Sequence, residues 1–391
     1  MPDDHTLCCQ LSPLKPDYDR CPSTRRILIF GSFCSIIVGL AFMVCGVYIW
    51  IIAPRLNPSN LHGLLYFKCY VYYEVPSITI NLIVTACTEC AGIMHATSLR
   101  FSLFREHRVT YNSNLRLVHG SDERIMNSPT INTIMAVLLI LSYASSSFFY
   151  QDIGQLIWPG TEACAVLAIP AIVLGISIFL QACISLFALH DTDILTWSTS
   201  PFDTIPALLS MHDHQSLEKY YPFPDRCACM SAVGMPPRAR KPLDRQPSAW
   251  DTRRGVRVSM YLLWGLGFAC MVWGGWVYAV LPQSSWQFIP SPDNLGEEAI
   301  NGDNQSTRSG ISFATWLSLY SVMIVTQGGL TLGLHCAEIV AGVVRDEILW
   351  RRASKPGGIN PSFNSWMYSF NFSNWLHIVL LLAKPVLRKH V

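Results

Sequence analysis

The sequence predicts an all-α fold, a polytopic transmembrane helix bundle. Three observations predict it: an apolar composition, six long apolar segments, and basic residues confined to alternate loops. Of the 391 residues, 51% are hydrophobic and only 14% are charged, and the mean hydropathy is +0.30. A soluble domain carries roughly 25% charged residues. This chain therefore lacks the charge to cover a water-facing surface.

Six segments are long enough to cross a bilayer, which takes roughly 20 apolar residues. None of them contains lysine or arginine. The predicted spans are residues 27–52, 76–99, 131–150, 164–189, 258–281 and 311–344. Residues 374–391 contain a shorter apolar core. They are compatible with a short seventh span, an interfacial helix or the stub of a shortened repeat.

The placement of basic residues predicts the orientation. The N-terminal tail and every second loop carry 22 of the 28 lysines and arginines, and the remaining loops between spans carry three. Because translocation of basic residues is unfavourable, we expect the N-terminus to be cytosolic. The predicted divisions are a cytosolic tail (1–26), a first membrane half with four spans (27–190), a cytosolic, mostly disordered linker (191–257) and a second membrane half (258–391).

Two features of the predicted outer side agree with this orientation. The loop 282–310 is acidic and holds the sequon Asn304-Gln305-Ser306, which predicts glycosylation at Asn304. Among the 14 cysteines, Cys69 lies in an outer loop and Cys164 begins the fourth span on the same side. The predicted topology therefore allows one disulfide between these two residues.

The two membrane halves resemble each other. A shift of 246 residues places the second span on the sixth, and a shift of 228 residues places the first on the fifth. The matched pairs include Asn81 with Gln327, Glu89 with His335, Arg105 with Arg351, and Gly39 with Gly267. This pattern indicates a parallel internal repeat, an arrangement found in transporters. Chance matching of apolar segments is the competing interpretation.

Polar residues recur at helical spacing in the second and sixth spans. They are Asn81, Thr85, Thr88, Glu89 and His95 in the second span, and Gln327, Thr331, His335 and Glu338 in the sixth. A charge in the hydrocarbon costs at least about 2.5–3.5 kcal/mol. We therefore expect these residues to face each other or water rather than lipid, whereas Glu106 is expected in a solvated loop.

Three functions are compatible with these patterns. The first is transport or conductance of a small solute or ion along a polar path lined by spans 2 and 6. The second is a non-catalytic scaffold or receptor, in which a buried Glu–His hydrogen bond only fixes helix packing. The third is a membrane-embedded, metal-dependent enzyme that uses a His/Asp-rich cytosolic loop.

The loop that the enzyme hypothesis requires offers weak metal ligands. The candidates are His190, Asp191, Asp193, His212, Asp213 and His214. No helix-spaced pair such as HExxH is present, so a solvated loop is the competing interpretation. No cofactor and no nucleic-acid partner are predicted. The expected partners are the lipid bilayer and an unidentified small solute or ion.

One block of the chain resembles other proteins. The stretch "HATSLRFSLFREHRVTYNSNLRLV" (95–118), with "YNSNLRL" (111–117) as its most specific part, is followed by "LSYASSS" in the third span. This block is similar to a group of uncharacterised fungal multi-pass membrane proteins, over roughly residues 89–150. The resemblance implies a multi-pass architecture and a fungal source, and no activity is attached to that group.

Overall fold

The computed structural model describes residues 21–56, 63–68, 74–106, 120–152, 163–198, 254–280 and 313–353, with a few isolated residues elsewhere. The helices in this part of the chain are α1 (Pro22–Leu56), α2 (Glu74–Arg105), α3 (Pro129–Phe149), α4 (Ala168–Asp191), α5 (Arg254–Val280) and α6 (Phe313–Ala353). The strands are β1 (Leu64–Lys68), β2 (Tyr150–Asp152) and β3 (Ala163–Leu167).

Five of the described helices, α1 to α4 and α6, are long and apolar enough to cross a membrane. In α5 the apolar stretch is shorter, Val256–Val272. The prediction of an integral membrane protein built from apolar helices is thus confirmed for five spans. The fifth and seventh predicted spans remain predictions, and residues 374–391 lie almost wholly outside the described residues.

Helices α1 and α4 approach so closely that their backbones touch. A Cβ atom built on Gly39 of α1 would lie 2.9 Å from the Gly175 carbonyl oxygen of α4. A Cβ atom on Gly175 would lie 2.5 Å from the Gly39 carbonyl oxygen, and real Cβ atoms essentially never come within 3.0 Å. Small residues allow such close helix crossings in membranes.

Helices α2 and α3 complete a four-helix unit with α1 and α4. α4 packs against each of the other three helices. The centre of the unit is a buried cluster to which all four helices contribute: Phe42, Val84, Tyr143, Leu174 and Ile178. The first membrane half therefore has a core of its own.

A three-stranded antiparallel sheet covers one end of this unit, in the order β1-β3-β2. Phe67 pairs with Cys164, and Tyr150 pairs with Val166. The sheet corrects two predicted boundaries, because α3 ends at Phe149 and the helical part of the fourth span begins only at Ala168. The apolar run Ala163–Leu167 suits a buried strand as well as a helix, so composition alone did not separate them.

Cys164 in β3 is completely buried and disulfide-bonded. Its partner lies outside the described residues. Cys69, the partner that the sequence suggests, directly follows Lys68, and Lys68 pairs with Ala163. The disulfide therefore belongs to the sheet end of the bundle.

Helix α6 packs against α5 and α3. Gly267 of α5 has nothing within 4 Å of a Cβ atom built on it, whereas Gly39, its match in the proposed repeat, lies against α4. The two matched glycines thus have different surroundings, and the repeat remains a prediction.

The first residues of the predicted linker fold back onto the helix ends. Trp197 is only 5% exposed and packs against Leu28 of α1 and Met94 of α2. Apart from isolated positions, the linker after residue 198 and before residue 254 lies outside the described residues.

The glycine crossing gives a stability prediction. Gly175→Ala should lower the free energy of unfolding by about 1–3 kcal/mol, because the new methyl group would overlap the α1 backbone. Gly267→Ala is the matched control, since a methyl group there meets open space and alanine favours helix over glycine. Thermal unfolding of the purified variants in detergent measures both effects. Equal melting temperatures for the two variants would contradict the close crossing.

Candidate functional site

A line of buried polar side chains runs along α2. Asn81, Thr85, Thr88, His95, Ser98 and Ser102 are each at most 4% exposed. From Asn81 to Ser102 the line covers about 30 Å at 1.5 Å per residue. That length is about the thickness of the hydrocarbon core. Buried polar groups therefore extend along α2 over a distance comparable to that thickness.

The threonine hydroxyl groups in this line are satisfied within α2. The Thr85 hydroxyl donates to the Asn81 carbonyl oxygen at 2.7 Å, and the Thr88 hydroxyl lies 3.0 Å from the Thr85 carbonyl oxygen. Threonine commonly forms such bonds to the preceding helical turn. These hydroxyl groups can still accept a hydrogen bond from another group.

Helix α3 contacts the polar residues of both α2 and α6. The hydroxyl oxygens of Thr88 and Tyr143 are 3.0 Å apart. On the α6 side, the Gln327 side-chain nitrogen donates to the Ser147 hydroxyl at 3.3 Å, and the Ser145 and Tyr320 hydroxyl oxygens are 2.6 Å apart. The sequence predicted that the polar faces of α2 and α6 would face each other or water. In the structure both faces contact α3.

Two amide side chains, one on α2 and one on α6, have buried polar atoms without a hydrogen-bond partner among the described residues, as does the side-chain oxygen of Asn127. Asn81 and Gln327 are both fully buried, at 0% exposure. Neither side-chain polar atom of Asn81, and not the side-chain oxygen of Gln327, has a hydrogen-bond partner among the described residues. A buried polar group left without a partner costs about 1–3 kcal/mol. We call Asn81 and Gln327 the amide pair.

The amide pair lies toward the sheet end of the bundle. Asn81 is seven residues closer to β1 along α2 than Thr88 is. Gln327 contacts Ser147, which is four residues closer to β2 along α3 than Tyr143 is. Each amide is therefore nearer the sheet than the Thr88–Tyr143 contact. The two amides are on different helices that share α3 as a neighbour.

The charged residues of the predicted stripe are half-buried. Glu89 has intermediate exposure. The His335 Nδ1 atom lies 3.1 Å from a carboxylate oxygen of Glu338, with side chains 14% and 13% exposed. Thr331, on the same helix, is buried. The described partner of His335 is thus on its own helix, one turn away.

A second polar group lies at the end of the bundle opposite the sheet. The Asn127 side-chain nitrogen donates to the Ser98 and Ser102 hydroxyls at 3.0 and 2.9 Å. Both hydroxyl oxygens lie 3.1 Å from the Thr192 hydroxyl oxygen. We call Ser98, Ser102, Asn127 and Thr192 the Asn127 cluster. It joins α2, the short 3₁₀ turn Ile125–Asn127 and the end of α4.

His95 supports the same turn, because its Nε2 atom is 3.0 Å from the Met126 carbonyl oxygen. The sequence predicted His95 as part of the polar stripe but missed this contact and the Asn127 cluster. Ser98 and Ser102 are four residues apart on one helix face, which was an available signal. Their partners are 25 to 94 residues away along the chain, and no local pattern reveals those partners.

Two of the candidate metal ligands are ion-paired with arginine. Asp191 lies 2.6 Å from the Arg124 guanidinium, and Asp193 pairs with Arg105. Within the described residues, no group of three or more His, Cys, Asp or Glu side chains is placed to hold a metal ion. The candidates His212, Asp213 and His214, and the predicted glycosylation site Asn304, lie outside the described residues.

Glu106 is not the isolated solvated charge that the sequence predicted. Its carboxylate accepts hydrogen bonds from the backbone N–H groups of Asp122 and Glu123 at 2.9 and 3.1 Å, and from the Ser121 hydroxyl. The prediction was wrong because residues 120–127 return to the end of α2. Glu106 therefore anchors this return.

Arg100 is buried at the same end, although it follows the predicted span directly. It is 3% exposed, and its guanidinium donates to the Ser198 carbonyl oxygen at 3.0 Å. Arg345 and Asp346 of α6 lie within electrostatic range of it. This end of α6 therefore comes close to α2.

Comparisons of the chain with protein-family models, with curated proteins and with solved structures found no match. The resemblance to fungal multi-pass proteins therefore remains an expectation.

The Asn127 cluster gives a second stability prediction. Asn127→Ala should lower the free energy of unfolding by about 1–3 kcal/mol, because it removes the donor shared by two buried hydroxyl groups. Thr133→Ala is the control, since the Thr133 hydroxyl is exposed and, among the described residues, donates to the Pro129 carbonyl oxygen of its own helix. Thermal unfolding in detergent again provides the comparison. An Asn127 variant as stable as the Thr133 variant would show that the cluster does not hold the helix ends together.

Proposed function

We propose that this integral membrane protein transports or conducts a small, uncharged polar solute through the interior between α2, α3 and α6. The observation that carries the proposal is the amide pair. Asn81 and Gln327 are fully buried on two helices that flank α3, and each has polar atoms without a partner among the described residues.

Inside a membrane bundle, a polar group without a partner costs more than an apolar side chain of similar size. Leucine would fill either position without that cost. Proteins retain such unfavourable groups chiefly at functional sites. A group that binds a solute transiently is satisfied only while the solute is present.

The chemistry of an amide indicates the class of solute. An amide both donates and accepts hydrogen bonds, so it can pair with a hydroxyl, an amide or water. It carries no charge with which to neutralise an ion. Uncharged polar molecules such as glycerol or urea fit this donor and acceptor set better than an ion does.

Hydroxyl groups extend the proposed path beyond the amide pair. Ser142 and Ser146 of α3 are buried, and each donates to a carbonyl of its own helix, Leu139 at 2.8 Å and Tyr143 at 3.0 Å. Their oxygens can accept a hydrogen bond from a passing solute. The line of buried polar groups on α2 accompanies them across the membrane thickness.

A cytosolic N-terminus is part of the proposal. Two independent arguments support it. The basic residues favour the side of the N-terminal tail as cytosolic. The disulfide-bonded Cys164 lies at the opposite, sheet end, and disulfides persist in oxidising compartments.

Solute flux tests the proposed function. Protein reconstituted in liposomes should increase the uptake of glycerol or urea over that of protein-free liposomes. Asn81→Leu and Gln327→Leu should each reduce the added flux by several-fold to about tenfold, because each removes a hydrogen bond to the solute. Asn81→Leu should also raise the free energy of unfolding by about 1–3 kcal/mol, since it removes a buried amide without described partners, whereas Gln327→Leu should raise it less because it also removes the hydrogen bond to Ser147.

Gln181→Leu in α4 is the matched control. Gln181 is 2% exposed and donates to the Ser177 carbonyl oxygen at 3.2 Å. Its replacement should leave flux unchanged and should not stabilise the protein. No added flux with the wild-type protein would contradict transport. Destabilised amide variants would instead support a scaffold in which the amides only pack helices.

The orientation has its own test. Peptide mapping under non-reducing conditions should find a Cys69–Cys164 cross-link, and Asn304 should carry a glycan because both belong to the predicted outer side. Asn371, in the sequon Asn371-Phe372-Ser373, should carry none because its loop is predicted to be cytosolic. A glycan at Asn371, or an N-terminus cleaved by protease added outside intact cells, would reverse the orientation.

A further inference from the structure

A cleft lies between the start of α1 and the end of α4, far from the amide pair. Its volume is about 430 Å³. One part of its lining is apolar: Leu186, Leu189, Ile194 and Trp197. The other part is polar: Arg25, His190, Thr192 and Asp193. The cleft thus combines a cationic edge with an apolar wall.

The floor of the cleft is part of the packed protein. Trp197 belongs to a buried cluster with Leu28 of α1 and Met94 of α2. Leu186, Leu189 and Ile194 pack against the same cluster. Three helices and the segment after α4 therefore hold the shape of the cleft.

The charges around the cleft favour an anion. Arg25 and His190 are exposed, and neither forms an ion pair within the described part of the chain. Asp193 is the carboxylate in the lining, and the Arg105 guanidinium pairs with it. Arg25 therefore remains as the cation available to a ligand, with the His190 ring as a second hydrogen-bonding group.

The cleft opens where the lipid-facing surface begins. Immediately beyond Arg25, Ile27 is 65% and Phe30 is 71% exposed on α1. On α4, Phe187 is 62% exposed, one turn before His190. Apolar side chains exposed on membrane helices face acyl chains. The cationic edge therefore lies at the depth of the lipid headgroups.

We propose that this cleft binds a phospholipid with an anionic headgroup. The headgroup phosphate accepts charge-assisted hydrogen bonds from the Arg25 guanidinium and a hydrogen bond from the His190 ring. An acyl chain lies along the exposed apolar surface next to the cleft, near Phe30 and Phe187. The lipid joins the start of α1 to the end of α4 and stabilises that end of the bundle. This binding does not depend on the proposed transport.

Arg26 supplies a control within the same helical turn. It is exposed like Arg25 and carries the same charge, but it does not line the cleft. General attraction to an anionic membrane surface acts on both arginines alike. Binding in the cleft acts on Arg25 alone.

The test uses the full-length protein in nanodiscs of phosphatidylcholine, with and without phosphatidic acid. Phosphatidic acid should raise the melting temperature of the wild-type protein, and native mass spectrometry should detect retained phosphatidic acid. Arg25→Gln should weaken this lipid's binding by about fivefold, the factor that corresponds to about 1 kcal/mol. His190→Gln should weaken it in the same direction, and Arg26→Gln should leave it nearly unchanged.

Three outcomes would overturn the proposal. Equal losses for the Arg25 and Arg26 variants would show surface attraction without a site. Equal melting temperatures of the wild-type protein in nanodiscs with and without phosphatidic acid would show that the anionic headgroup is not recognised. Stabilisation of the detergent-solubilised protein by glycerol 3-phosphate or inorganic phosphate, as large as that by phosphatidic acid, would assign the cleft to a soluble phosphate. Arg25 is exposed and its side chain forms no ion pair within the described part of the chain, so loss of folding is not expected to obscure the result.

Discussion

The absence of water from the interior of a membrane bundle is the constraint on which the arrangement of this protein depends. Every buried polar group must find a partner within the protein. Helix α3 supplies many of these partners, because its hydroxyl groups contact Thr88 of α2 on one side and Gln327 of α6 on another. The hydroxyl groups of Thr85, Ser142 and Ser146 donate to carbonyl oxygens of their own helices. Asn81 departs from this pattern, and Gln327 does so in part. The free-energy cost of these buried amide atoms is the reason for a functional interpretation, since simple helix packing does not require them.

The two ends of the four-helix unit are held by different interactions. At one end an antiparallel sheet with a disulfide-bonded cysteine joins the connections between helices. At the other end the Asn127 cluster and the Arg124–Asp191 ion pair join α2, α4 and the turn before α3. The ion pair is partly exposed and contributes little by itself, whereas the buried cluster contributes more. Helix α6 meets α3 through a few polar contacts and side-chain packing. For the proposed transport, the contact between α3 and α6 is therefore the expected place for a change of shape.

Local patterns in the sequence predicted the helices, and long-range contacts were beyond them. Length and apolarity are local properties, so the first four spans were placed within a few residues of α1 to α4. Helical spacing likewise predicted a polar face containing Asn81, Thr85 and Thr88, all of which are buried. The partners of these side chains were not predictable, because Tyr143 is 55 residues from Thr88. The sheet was missed since Ala163–Leu167 has a composition that suits either structure. Glu106 was misjudged because hydrogen-bond donors that are distant in sequence return to it.

The proposed repeat relates these observations, although its two halves do not have the same surroundings. Gly39 of α1 packs against α4, and Gly267 at the matched position of α5 meets open space. Among the described residues, Gly267 of α5 thus has no neighbour like the one α4 provides to Gly39. Helix α6 packs against α3 of the four-helix unit, and its Arg345 and Asp346 lie within electrostatic range of Arg100 of α2. The matched amides Asn81 and Gln327, unlike the matched glycines, share the same features. Each amide is buried, and each has side-chain atoms without a hydrogen-bond partner among the described residues. Packing requirements differ between the halves, whereas the unfavourable polar feature is present in each. Under the proposed function both positions keep an amide because each contacts the solute, whereas packing alone would favour leucine at both positions.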